Sequence, residues 1–234
     1  MFNRGTYREY VESALLELLT GSIGAIKSFY HGVLEQTVLK ETEDVISLKA
    51  GESILTFTRS YYQYESPYYH FAYNIPEQKC EQALNWLKQK GVSVYSVNGQ
   101  EIEHNENWNS DSIYFNDPVG NIVEFIARHD LKDEDTALFT AVDIKNISEI
   151  GLPTQDVTAI SEMLRGKYDL QVYKSASPTF TPLGDEEGLI ILAAVGRIWF
   201  GSDKAAKYFP VTIDISDGSM RNEFTFGDGY LIKS

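Results

Sequence analysis

Short runs of β-favouring residues, bounded by turn residues, recur along almost the whole chain and predict strands. The strands expected on this pattern cover residues 38–41, 45–49, 54–59, 69–75, 92–97, 112–115, 122–128, 146–152, 170–174, 188–194, 197–200 and 208–215. Residues 12–20 are ambiguous, because the apolar positions there and just before them also follow a helical period. The pattern therefore predicts a protein made mainly of sheet.

Three segments between these strands carry helix signals. The first begins at Gly21-Ser22 and runs to about Leu34. The second opens with Pro76-Glu77 and ends before Gly91, which matches the preference for Pro in the first turn and Gly after the last. The third follows Asp156, has an apolar stripe and is expected to stop at Gly166. The order strand, helix, strands thus repeats along the chain.

Composition and charge narrow the choice of partners. Of the 234 residues, 43% are hydrophobic and 23% are charged, as in ordinary globular proteins. The net charge of −14 argues against nucleic acids and anionic membranes as partners. No apolar run approaches the ~20 residues of a membrane span, and residues 1–13 do not resemble a signal peptide. We therefore expect a cytoplasmic protein, in which the single cysteine, Cys80, is a core residue.

Two polar residues interrupt strongly apolar strands. Glu124 follows the turn Asp117-Pro118-Val119-Gly120 and lies inside an otherwise apolar strand, where a carboxylate is costly unless it is paired or bound to a metal. His70 lies in the aromatic run 68–76, and imidazole with carboxylate is a common donor pair for divalent metals. The alternatives are a solvent-facing edge strand for Glu124 and a hydrogen-bonded structural role for His70.

These pieces together resemble the vicinal oxygen chelate superfamily, which includes glyoxalases, fosfomycin and bleomycin resistance proteins and extradiol ring-cleaving dioxygenases. The segment Asp117-Pro118-x-Gly120-Asn121-x-x-Glu124 is similar to the family's final hairpin, whose Glu binds the metal, and His70 falls at a ligand-bearing strand. Phe29-Tyr30 is similar to the end of the family's first helix. The resemblance implies an α+β fold in which paired βαβββ modules form a curved sheet cup, and it favours a strand at residues 12–20.

One expected metal ligand is missing from the pattern. Where the family carries its third ligand, on the first strand, this chain has Leu15, which cannot bind a metal. Glu17 is two residues further and would share the same face of a strand, so it is the candidate replacement. The resemblance thus implies a divalent metal (Fe, Mn, Ni or Zn) on His70, Glu124 and Glu17, and the alternative is an incomplete site.

The resemblance also suggests a chemistry. A metal in such a site holds two neighbouring oxygens of a small substrate and stabilises negative charge on one of them. Tyr114 lies on a suitable strand to donate a proton or a hydrogen bond, although a role as a cup-lining aromatic residue is the alternative. The polar run 103–106, which includes His104, is interpreted as a solvated face.

The organisation of the chain suggests a complete and an incomplete domain. Residues 1–130 hold two βαβββ modules, and a charged linker at 129–140 separates them from residues 131–234. The second part fits one module and the opening strand of another, and we expect it to be completed by packing on the first domain or on a second subunit. Its first strand carries Glu149 but no histidine, so we expect no metal there.

Three functions remain open on the sequence alone. The first is a metal-dependent enzyme of the glyoxalase or dioxygenase kind, acting on a small molecule with neighbouring oxygens. The second is a metal-free protein of the bleomycin-resistance kind that sequesters a small molecule in an aromatic cup. The third is a non-catalytic interaction protein with the same fold, because a fold does not fix an activity.

Overall fold

A computed structural model of the protein describes residues 15–61, 66–133, 137–214, 223–226 and 229–233. Residues 12–14 of the ambiguous first element and 134–136 of the charged linker lie outside the described residues. Within the described ranges, no helix has both the length and the apolar character needed to cross a membrane.

The described residues form fourteen strands and three α-helices. The first group is β1 Leu15–Thr20, α1 Ile23–Ile26, a π-helical turn Lys27–His31, β2 Thr37–Glu41, β3 Val45–Ala50 and β4 Ser53–Arg59. The second is β5 His70–Ile75, α2 Cys80–Gln89, β6 Glu103–Asn105, β7 Ser110–Asn116 and β8 Ile122–Arg128. The third is β9 Asn146–Thr154, α3 Val157–Tyr168, β10 Phe180–Asp185 and β11 Gly188–Ala194, and the last is β12 Val211–Asp214, β13 Glu223–Phe226 and β14 Tyr230–Lys233.

Each group repeats one connection. Its first strand pairs in parallel with its last strand, as β1 does with β4, β5 with β8, β9 with β11 and β12 with β14. In each group the strand before the last pairs antiparallel with that last strand. In the first two groups a further strand, β2 or β6, adds antiparallel to this one. The first two groups are therefore βαβββ modules, and the fold is the expected α+β arrangement of paired modules.

The modules pair through their first strands into two seven-stranded sheets. The first sheet has the order β13-β14-β12-β1-β4-β3-β2, and the second has the order β10-β11-β9-β5-β8-β7-β6. In the first sheet β1 lies antiparallel to β12, and in the second β5 lies antiparallel to β9. Each sheet thus joins strands from both sides of the linker.

A buried tyrosine–aspartate contact ties the first module to the hairpin of the second. The Tyr30 ring packs on Phe57 and Phe71, and its hydroxyl donates to Asp117 Oδ2 at 2.9 Å. Asp117 Oδ1 also accepts the backbone N–H groups of residues 119, 120 and 121 at 2.8–3.1 Å. The turn before β8 therefore has the chemistry expected from its sequence, and it fixes where β8, the strand of Glu124, begins.

The local pattern predicts most strands correctly, but it also predicts three strands that do not form and misses an edge strand. The described part of the ambiguous segment is a strand, β1, and the 122–128 prediction is confirmed exactly as β8. The segments 92–97, 170–174 and 197–200 make only isolated bridges, because each pairs with its neighbours at one or two residues rather than along its length. The strand β10 was not predicted, since Pro182 and Gly184 disguise an edge strand.

The helix limits also differ from expectation. The first helix has a single α-helical turn followed by the π-helical turn. The second begins at Cys80, because residues 76–79 form a turn instead of a first helical turn. The third continues through Gly166 to Tyr168 and stops where Asp169 adopts the left-handed conformation (φ 53°).

Candidate metal centre on the second sheet

Strand pairing brings three ionisable side chains to one face of the second sheet, which we call the cup face. Ala72 on β5 pairs with Glu124 on β8 and with Glu149 on β9. Directly paired residues point to the same face, as do residues two apart in one strand. His70, Glu124 and Glu149 therefore converge around the small side chain of Ala72.

These three side chains are close together and buried. His70, Glu124 and Glu149 are exposed by only 7%, 3% and 4%. His70 Nε2 lies 3.6 Å from Glu124 Oε2, and one ligand atom from each residue lies within 4.8 Å of the other two. Burial of two carboxylates at this spacing requires positive charge close by or protonation of one of them.

A backbone contact orients the imidazole. His70 Nδ1 lies 3.3 Å from the carbonyl oxygen of Ile122, its partner in β8. Because a carbonyl only accepts hydrogen bonds, Nδ1 carries the proton in this contact and Nε2 presents its lone pair towards Glu124. This arrangement is the usual way in which an outer group orients a metal-binding histidine.

Arg128 provides a fixed positive charge beside the cluster. Its guanidinium is buried, donates from Nη2 to Glu149 and from Nε to Asn74 Oδ1 at 3.2 Å, and lies over the ring of Trp108 at 5.5 Å. Its Nη1 has no hydrogen-bond partner within the described part of the chain. One arginine thus balances one of the two carboxylates.

Burial shifts the pKa values of all three residues of the cluster. Loss of hydration raises the pKa of Glu149 to about 7, and the negative charge of Glu124 adds to this increase. Burial also raises the pKa of Glu124, and hydrogen bonding from Ser112 and Tyr114 partly offsets it. For His70, burial lowers the pKa, which keeps the imidazole neutral and able to bind a metal.

Tyr114 lies directly beside the cluster. It pairs with Glu124 across β7 and β8, and it is 8% exposed. Burial, followed by the nearby charge of Glu124, raises the pKa of its hydroxyl well above 10. The hydroxyl therefore stays protonated at neutral pH and donates to Glu124.

The segment after β11 covers the cluster. The ring of Trp199 lies 5.0 Å from the ring of His70, centre to centre, and Phe200 packs edge-on against Tyr114 at 5.7 Å. Gly151 on β9 makes room for this cover, since a Cβ there would lie 2.5 Å from the Trp199 ring. The predicted strand at 197–200 is thus a covering segment.

The cluster opens into a small cavity. The cavity has a volume of about 210 Å³, and its wall includes Trp108, Tyr114, Phe180, Arg197 and Trp199. This is smaller than the ~300–1,000 Å³ of typical ligand pockets. The site therefore suits a small molecule.

The structure brings together two of the three predicted ligands. Glu17 lies apart from His70 and Glu124, on β1 of the first sheet, where it accepts a hydrogen bond from Thr58 Oγ1 at 3.3 Å. The physical reason is strand pairing: the neighbours of β5 are β8 and β9, not β1. The expectation that Glu17 would join the cluster is corrected accordingly.

Glu149 takes the place in the cluster that the sequence analysis gave to Glu17. The structure thus places Glu149, on the strand where the sequence analysis expects no metal, beside His70 and Glu124. The signal was present in the sequence, because Glu149 interrupts an apolar strand as Glu124 does. The criterion that singled out Glu124, a carboxylate inside an apolar strand, also singles out Glu149.

Comparison with known proteins places this architecture in a class. The structure is similar to that of a Bacillus subtilis protein named a candidate dioxygenase, with 15% identity, a TM-score of 0.64 and coverage of 96% of this chain and 85% of that chain. It is also similar to glyoxalase I from Zea mays, with 18% identity, a TM-score of 0.54 and coverage of 88% and 74%. The chain thus has the fold of the vicinal oxygen chelate superfamily.

The identities are too low to carry more than the fold. A scan against models of protein families and a search of curated proteins each find no match. The function is therefore argued from the site itself.

Proposed function

We propose that the protein is a metal-dependent enzyme of the glyoxalase or dioxygenase kind, in which His70, Glu124 and Glu149 bind one divalent cation. The observation that carries the proposal is the convergence of three buried ligand atoms, within 4.8 Å of one another, at the wall of a cavity. One imidazole and two carboxylates suit Fe, Mn, Ni or Zn.

The charge and the donor set of the cluster fit such an ion. Two buried carboxylates face one buried arginine, so the cluster needs further positive charge when both are ionised. His70 presents Nε2 because Nδ1 is held by the Ile122 carbonyl. Three protein ligands also leave coordination positions free on the cavity side.

When bound, a divalent ion supplies Lewis acidity to two neighbouring oxygens of a substrate and stabilises negative charge that develops on one of them. The surrounding residues prepare the site for this chemistry. Tyr114 keeps its proton, which it donates to Glu124 and can redirect to a substrate oxygen. Trp199 and Phe200 cover the cluster and limit the access of water.

Arg197 indicates the charge of the substrate. Its guanidinium lines the cavity, packs over the ring of Phe180 at 4.6 Å and makes no ion pair with any described residue. An unpaired arginine at a cavity wall is suited to a carboxylate or another anionic group. We therefore propose a small anionic substrate with neighbouring oxygens.

One observation favours the alternative of a metal-free binding protein. Arg128 already pairs with Glu149, so a folded protein without metal keeps part of its charge balance. In that case the cavity would hold a small aromatic ligand against Trp108, Tyr114 and Trp199 without chemistry. Metal content separates the two functions.

The test is metal analysis of protein purified without chelator, before and after loading with Fe²⁺, Mn²⁺, Ni²⁺ or Zn²⁺. We expect close to one ion per cup-face cluster in the wild type, lost in His70→Ala, Glu124→Gln and Glu149→Gln. Glu17→Gln is the matched control and should retain the ion. A wild type whose metal content these three substitutions leave unchanged would refute the metal centre.

A further inference from the structure

A second group of ligating side chains lies on the other face of the same sheet. His104 on β6 pairs with Asp111 on β7, and His129 directly follows β8. Neighbours in a strand alternate between faces, so Asp111 points away from the cup face to which Ser110 and Ser112 belong. The two groups are therefore separated by the thickness of the sheet.

Both histidines direct a ring nitrogen at the same carboxylate. His104 Nδ1 lies 2.7 Å from Asp111 Oδ1, and His129 Nε2 lies 3.3 Å from Asp111 Oδ2. One ligand atom from each of the three residues lies within 4.8 Å of the other two. Glu77 Oε2 lies 3.9 Å from the other ring nitrogen of His129, where an outer carboxylate commonly orients a metal-binding histidine.

We propose that His104, Asp111 and His129 form a second metal site, which takes Zn²⁺ or a similar divalent cation. Two imidazoles and one carboxylate are a donor set typical of zinc and its neighbours. The side chains of His104, Asp111 and His129 are 62%, 25% and 27% exposed, so an ion can enter and water can complete its coordination. The net charge of −14 raises the local concentration of cations.

The position of this site suggests what the ion does. It would join β6, a three-residue edge strand, to β7 and to the residue after β8. The β6–β7 hairpin also carries Asn105 and Trp108, which line the cavity on the cup face. An ion on the outer face would therefore hold in place one wall of the cavity on the inner face.

The test is a calorimetric titration of Zn²⁺ into the full chain after removal of metals, with bound zinc counted after dialysis. The chain has four histidines, and each is replaced by alanine in turn. We expect His104→Ala and His129→Ala to lose one equivalent, and His70→Ala to keep that equivalent. His31 lies outside both groups, 2.9 Å from the Gln36 carbonyl oxygen, so His31→Ala is the matched control.

The outcomes separate this proposal from the proposed function. Zinc binding by His104→Ala and His129→Ala that equals that of His31→Ala would overturn the second site, whatever the cup face does. Zinc binding that His70→Ala leaves unchanged, but that both outer histidine variants reduce, would support the second site and count against the first. Hydrogen exchange at residues 103–112 should also slow on zinc addition in the wild type, in His31→Ala and in His70→Ala, but not in His104→Ala or His129→Ala.

Discussion

Arg128 on β8 forms a buried ion pair with Glu149 on β9, and the pair reaches across β5, the strand that lies between them. Arg128 Nε also donates to Asn74 on that central strand at 3.2 Å. One arginine thus contacts the strands that carry all three proposed ligands. It fixes the position of Glu149 whether or not a metal is bound.

Removing this arginine should destabilise the metal-free protein strongly. Arg128→Met leaves Glu149 buried without its cation, a change that typically costs about 3–5 kcal/mol. The free energy of unfolding in urea measures the loss. The control is Lys27→Met, which breaks the exposed pair with Glu41 and should cost no more than about 1 kcal/mol. Equal losses in the two variants would contradict the role of Arg128.

Metal loading should stabilise the protein more at higher pH. Burial raises the pKa of Glu149 from 4.5 to about 7, so the folded metal-free protein holds a proton that the unfolded chain has lost. Its stability therefore falls as pH rises through this window, whereas metal binding requires the deprotonated carboxylate. The gain in Tm on metal loading should grow between about pH 5.5 and pH 8. Glu149→Gln should show a small gain at every pH, and a pH-independent gain in the wild type would contradict the prediction.

The cover over His70 should depend on the missing side chain at Gly151. A methyl group there would lie 2.5 Å from the ring of Trp199, so Gly151→Ala should displace the indole at a cost of about 1–3 kcal/mol. The tryptophan emission should shift to the red, and Trp199→Phe should abolish the shift. The control is Gly166→Ala in α3, which meets nothing within 4 Å and should stabilise the helix by about 0.5–1 kcal/mol. An unshifted spectrum in Gly151→Ala would show that the cover accommodates the methyl group.

Arg197 should select ligands that carry negative charge. The metal-loaded protein should bind 3,4-dihydroxybenzoate more tightly than catechol, which has the same neighbouring oxygens but no carboxylate. Arg197→Gln should remove most of this preference. The loss in binding free energy should be about 1.5–3 kcal/mol, the usual contribution of a hydrogen bond to a charged group. Calorimetry with both compounds measures it. Lys204 contacts the carbonyl of Gly120 instead of the cavity, so Lys204→Gln should retain the preference.

Cys80 should be unreactive in the folded protein. The thiol lies in α2 and is 5% exposed, and burial raises its pKa from 9.0 to about 12. Because the thiolate is the reactive form, modification by a disulfide reagent at pH 8 should be at least about 100-fold slower than in urea. Fast modification of the native protein would show that α2 opens readily.

The sequence identified the two proposed ligands that break a local pattern and missed the proposed ligand that needs tertiary pairing. His70 and Glu124 stand out because each interrupts an apolar strand, and β8 has the bounds predicted for it. Glu149 shows the same anomaly, but the pairing of β5 with β9 joins residues about 75 apart, which no local pattern reveals. His104 is exposed, as its charged run predicts, but its neighbours Asp111 and His129 lie on and after other strands, so the local pattern does not reveal this group.

The junction of β5 with β9 also determines when the cup-face site can exist during synthesis. His70 and Glu124 lie before the charged linker, and Glu149 and Trp199 lie after it. A nascent chain that ends in the linker carries two of the three proposed ligands and nothing to cover them. The cup-face site can therefore be completed only after the second half of the chain has been synthesised and β9 has paired with β5.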